Sequence, residues 1–161
     1  MFDFNPTDRR DKKGMYSLLR AQAGSLLEGE TDTIANLANL SALLSLTLPD
    51  INWAGFYILR GNCLVLGPFQ GKPACVRIPL GKGVCGTAAE KDETQVVPDV
   101  RVFAGHIACD KDSRSEIVVP LHAGGRVAGV LDIDSPLSAR FDKADAEGLQ
   151  ALAEGIETAC F

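Results

Sequence analysis

The chain has 161 residues, enough for one domain with a buried core and too few for two independently folding halves. Apolar residues make up 46% and charged residues 23%, which excludes intrinsic disorder. With 16 basic against 21 acidic residues, a net charge of -5 and no basic cluster, nucleic acid is not an expected partner.

Residues 1–13 are charged and contain Pro6, without the apolar block and small-residue cleavage site of a secretory signal. No apolar run approaches the ~20 residues that span a bilayer. The expected setting is therefore cytoplasmic, with no membrane partner. In that reducing compartment Cys63, Cys75, Cys85, Cys109 and Cys160 are not expected to form a permanent disulfide scaffold, which leaves burial, metal binding or redox chemistry.

From Met15, apolar residues recur at Leu18, Leu19, Ala23, Leu26 and Leu27 with the spacing of an amphipathic helix. A second helix is predicted to open at Thr31 or Asp32, to bury Ile34, Leu37, Ala38, Leu44 and Leu48, and to stop at Pro49. Residues 51–59 then turn aromatic and β-branched, and Arg60-Gly61-Asn62 marks a hairpin turn into a short strand over 63–66. Two glycines and two prolines predict a loop over 67–74, followed by a strand over 75–80 with Val76, Ile78 and Leu80 on one face.

The glycines of 81–86 lack the spacing of a dinucleotide or phosphate-binding loop and predict a turn into a short helix over 84–91. A strand over 95–97 follows, then a long irregular stretch over 98–114 that carries His106 and Cys109. Residues 116–122 and 126–133 are apolar runs joined across Gly124-Gly125, a strong hairpin signal. Asp142, with Asp145 three residues on, caps a last helix that buries Leu149, Leu152, Ile156 and Ala159. This order predicts an α+β fold, with a roughly six-stranded, mostly antiparallel sheet packed against helices from both chain ends.

Cys75, Cys85 and Cys109 fall in glycine-rich or irregular segments rather than on a core stripe, which favours reactivity over packing; Cys63 and Cys160 read more readily as small buried hydrophobes. Cys75, Cys85, His106 and Cys109 could nominally ligate zinc. Structural zinc sites take closely spaced ligand pairs, and Cys75 and Cys85 are ten apart, so no metal is expected.

Asp132 and Asp134, two apart on a strand, point to one face, where like charges brought together raise at least one pKa. A carboxyl kept protonated near neutral pH can donate to a departing oxygen. Glu116, at the start of the preceding strand, is brought towards the pair by the hairpin. Two aspartates at a strand end can equally open a turn. Trp53 is the one tryptophan, and its ring could fill the core or pack against a small apolar group such as a methyl.

INWAGFY at 51–57, ACVRIPLGKGVCGTAA at 74–89, HIACDKDSRSEIVVPL at 106–121 and GVLDIDSP at 129–136 resemble the free methionine-(R)-sulfoxide reductases, a family of single GAF domains. The resemblance implies one GAF domain with a core over 15–160 and an N-terminal extension over 1–13, using no cofactor. It implies that Cys109 attacks the sulfoxide sulfur and becomes a sulfenic acid, that Cys75 condenses with it to a disulfide, and that thioredoxin restores both thiols. Cys85 would be an alternative resolving thiol or an indirect contributor. Glu116, Asp132 and Asp134 would polarise and protonate the sulfoxide and hold the ammonium of the free amino acid, and Trp53 would line the methyl pocket. Asp110 beside Cys109 should raise the thiol pKa, so activation must come from elsewhere. The alternative is a small-ligand-sensing GAF module without activity, an expectation from fold alone. A homodimer is also implied.

Overall fold

The computed structural model describes residues 11–161 except His106, Ala108 and Cys109. Helix α1 (Lys12–Leu27) is capped by the Asp11 carboxylate, which accepts from the Gly14 N–H, and so takes in part of the expected N-terminal extension; residues 1–10 of that extension lie outside the described residues. Helix α2 (Thr33–Thr47) starts on an Asp32 cap and ends before Pro49 as expected. Its buried face matches expectation at Leu37, Leu44 and Leu48 and differs elsewhere: Leu40 and Leu43 go inward with Asn36 and Ser41, whereas Ala38 is exposed and Ile34 is 71% exposed. The two polar residues are accommodated because Asn36 Nδ2 donates to the Glu30 carbonyl and Ser41 Oγ to the Leu37 carbonyl. Residue type alone therefore missed the two polar members of the stripe and assigned Ile34 and Ala38 to it wrongly.

Six strands follow: β1 (Trp53–Arg60), β2 (Cys63–Gly71), β3 (Arg77–Pro79), β4 (Gln95–Val97), β5 (Ser115–Ala123) and β6 (Arg126–Ser135). They form one sheet in the order β3-β2-β1-β6-β5-β4, and every pairing is antiparallel. Strand β2 runs through the expected loop as far as Gly71, because β3 covers only residues 63–65 and leaves Pro68 on a free edge, where no ladder donor is needed. Val76 lies before β3 and is 63% exposed, so the expected apolar face keeps Ile78 within the strand and Leu80, half-buried against the same cluster, just after it. The β5–β6 turn uses positive φ at both Gly124 and Gly125, the geometry that matches strand twist in a two-residue hairpin.

Helix α3 (Gly83–Lys91) and helix α4 (Lys143–Cys160) complete the fold, with a 3-10 turn at Val100–Val102. One sheet face presents Ala54, Phe56, Ile117, Val119, Leu121, Leu131 and Ile133 to α1, α2 and α4. The opposite face presents Trp53, Tyr57, Val118 and Val130 to α3. Period-two alternation thus divides the sheet between a face packed on the main apolar core and a face on which Glu116, Asp132 and Asp134 sit. Among the described residues no helix is long and apolar enough to cross a membrane.

Candidate active site

The two aspartates lie within β6, not at a turn, and the register supplies their company. Asp134 pairs with Trp53 of β1 on one side and Glu116 of β5 on the other; Asp132 pairs with Gly55 and Val118. All of these face α3. Asp132 and Glu116 are buried and Asp134 is half-buried, so three carboxylates meet on one face with little water to screen them.

Helix α3 closes the cluster from above. Its first residue, Gly83, has φ +61 and donates its N–H to the Gly105 carbonyl, which starts the helix at the angle that turns Cys85 to the sheet. Cys85 is buried with Val84, Ala88 and Ala89, so it does sit on a core stripe, contrary to expectation. Its Sγ nevertheless donates to Glu116 Oε1 at 3.7 Å. Ligand atoms of Cys85, Glu116 and Asp132 lie within 4.8 Å of one another, a spacing that serves proton sharing and would also admit a small cation. Asp132 Oδ1 accepts no hydrogen bond from the described residues.

Burial sets the protonation of this group. It pushes Glu116 well above the usual carboxylate range, with the charges of Asp132 and Asp134 adding to the effect. It raises Asp132 to about 7, opposed by hydrogen bonds from Cys85 and Glu116. Asp134 is also raised, by burial first and then by Asp132 and Asp110. The Cys85 thiol is pushed up by burial first and then by Asp132 and Glu116, so it stays a thiol near neutral pH and is a poor nucleophile. The cluster therefore stores protons at a pH where isolated carboxylates hold none.

Trp53 forms one wall. Its ring stacks on Phe69 at 5.2 Å between centroids and on Tyr57 at 5.9 Å, and its Nε1 donates to the Lys72 carbonyl. Gly55 makes this possible, since a Cβ there would collide with Phe69 and the Trp53 ring. Pocket-lining residues include Trp53, Tyr57, Lys72, Cys85, Ile107, Asp110, Ser113, Glu116, Asp132 and Asp134.

Cys75 lies just before β3, half-buried and disulfide-bonded, and its carbonyl accepts from the Tyr57 hydroxyl at 3.0 Å. Cys63, Cys85 and Cys160 are free thiols. Cys109 and His106 lie outside the described residues, so the expected nucleophile and the nominal zinc set are not placed. Asp110, the residue after Cys109, accepts from Asn52 Nδ2 and from the Asp112 N–H and faces Lys72. Sequence reasoning missed Tyr57, Lys72, Asn52 and Ser113. Tyr57 could have been found, being four residues from Trp53 and hence on the same face of β1.

The GAF domain family model matches residues 15–160. Free methionine-R-sulfoxide reductase of Escherichia coli (strain K12) is 54% identical over 147 residues, 91% of this chain and 89% of that protein. The X-ray structure of free methionine-R-sulfoxide reductase from Neisseria meningitidis in complex with its substrate superposes with a TM-score of 0.92 at 45% identity, over 99% of this chain and 95% of that one. The substrate complex of Staphylococcus aureus fRMsr gives a TM-score of 0.87 at 53% identity, over 99% of this chain and all of that one.

Proposed function

Since the chain belongs to the GAF domain family and, within it, to the free methionine-R-sulfoxide reductases, we propose that it reduces free L-methionine (R)-sulfoxide to L-methionine, with thioredoxin as the final reductant. The observation that supports this most is the convergence of Glu116, Asp132 and Asp134 on one face beside Trp53, with burial keeping protons on the acids. A sulfoxide needs such a donor, because its oxygen leaves as water only when protonated.

In this reading the Cys109 thiolate attacks the sulfoxide sulfur while the acid cluster protonates the oxygen. Water departs, and water attack on Cys109 sulfur then releases methionine, so that a thiol and a sulfoxide have become a sulfenic acid and a thioether. The Cys75 thiol condenses with the sulfenic acid, forming the Cys75–Cys109 disulfide and a second water; a thioredoxin dithiol reduces it by exchange. The bonded state of Cys75 and the Tyr57 hydrogen bond to its carbonyl fit a resolving role. Cys85, protonated and hydrogen-bonded to Glu116, acts as part of the acid cluster rather than as a second resolving thiol. Trp53 packs against the substrate methyl, and the carboxylate that is not donating holds its ammonium. A reducing cytoplasm supplies the thioredoxin, and the assembly is read as a homodimer.

The test is an NADPH-coupled thioredoxin assay. The parent protein consumes NADPH with free (R)-sulfoxide, and Cys109→Ser does not. No turnover by the parent, or equal turnover by the variant, contradicts the reading and leaves a ligand-sensing module in its place.

A further inference from the structure

The pocket's charges are lopsided. Four carboxylates line it, those of Asp110, Glu116, Asp132 and Asp134, and Lys72 is the one cationic side chain among the described residues that does. A free amino acid brings a carboxylate as well as an ammonium. The ammonium and the sulfoxide oxygen suit the acids, but a carboxylate set among them meets like charge in a poorly solvated site. It must therefore face the rim, where Lys72 stands just past the end of β2.

Lys72 is held there from both ends. Its carbonyl accepts from Trp53 Nε1 at 3.1 Å, which ties its backbone to the wall of the pocket. Its Nζ bonds Asp112 and lies 3.5 Å from Asp110 Oδ1. An ammonium has three donors, so these two acids leave one for a ligand. Asn52 takes the other oxygen of Asp110, at 3.3 Å, and also donates to Ser113 Oγ at 3.1 Å, so the segment after Cys109 and the lysine form one braced rim.

We propose that Lys72 reads the carboxylate of the substrate and thereby sets the preference for the free amino acid over sulfoxide within a peptide. This rests on the reductase reading of the same site. The lysine is a specificity residue and takes no part in the sulfur chemistry, so its loss shows in KM more than in kcat.

The test compares L-methionine (R)-sulfoxide with the (R)-sulfoxide of 3-(methylsulfinyl)propylamine, which keeps ammonium and sulfoxide but has no carboxylate. Lys72→Met raises KM for the amino acid by about fivefold or more, the range of a partly exposed ion pair, and leaves kcat/KM for the amine at the parent value. Lys72→Arg restores the preference. Should the methionine variant misfold, Lys72→Gln carries the same comparison. Equal losses on both substrates would reduce Lys72 to a brace for the rim, and an unchanged preference would place the carboxylate on another group such as the N–H groups opening α3; either result overturns the inference. A parent protein that turns over neither substrate overturns the reductase reading and this inference with it.

Discussion

At the residue scale, Asp132 combines the features that proton delivery requires. It is buried, raised to about 7, beside a protonated Cys85 and Glu116, and has one oxygen with no donor among the described residues. An acid that must be protonated loses function as pH climbs through its folded pKa, so kcat/KM is expected to fall above about 7. Asp132→Asn keeps the shape but not the proton, and kcat should drop by about 100-fold or more. In this variant stability should change in the direction opposite to activity. A carboxyl whose folded pKa is raised binds more protons folded than unfolded between its usual value and the raised one, so the folded state weakens as pH rises through that window. The variant removes this cost, and its Tm should exceed that of the parent above pH 7. A parallel pH-rate profile and thermal melt of the two proteins check both signs. An activity loss without the stability gain would mean that burial does not raise the folded-state pKa of Asp132.

Elements explain which parts of this site could be read in advance. The grouping of Glu116, Asp132 and Asp134 was legible because each rests on short-range pattern: i, i+2 spacing on one strand and a Gly-Gly hairpin that fixes the neighbour. The rim was not legible. Asn52 meets Asp110 and Ser113 across separations of 58 and 61 residues, and Lys72 meets Asp112 across 40, contacts that no local periodicity encodes. The inward turn of Asn36 and Ser41 in α2 escaped for another reason: each satisfies its polar atoms on nearby backbone, which residue type does not reveal.

Asp145 shows the same limit on a larger brace. It was readable as a capping residue of α4, and its Oδ2 does accept from the Asp142 N–H. It also accepts from Tyr16 and Lys12 of α1 and from Arg140 before α4, tying the two terminal helices together in a fully buried position. Asp145→Ala would leave the nearly buried Arg140 with the Pro49 carbonyl but no carboxylate, and denaturant unfolding should show a loss of about 3–5 kcal/mol. A loss below 1 kcal/mol would mean that the helices are held by apolar packing alone.

For the whole molecule, the sheet divides two tasks between its faces. Helices α1, α2 and α4 bury one face in an apolar core that supports the fold, while α3 covers the face that carries the acids, Trp53 and Cys85. This separation lets the second layer hold raised carboxylates and a half-buried, disulfide-bonded Cys75 without interrupting the main core. The GAF architecture was legible through the order of elements and the four matching stretches, and its sheet is wholly antiparallel. How the acidic layer is used depends on one sulfur chemistry. The most direct measurement mixes fully reduced protein with excess L-methionine (R)-sulfoxide without a reductant, then counts methionine formed and maps thiols by mass spectrometry. One equivalent of methionine and a new Cys75–Cys109 disulfide, with Cys63, Cys85 and Cys160 still free, is the predicted result; methionine formed without loss of the Cys109 thiol, or no methionine at all, would contradict it.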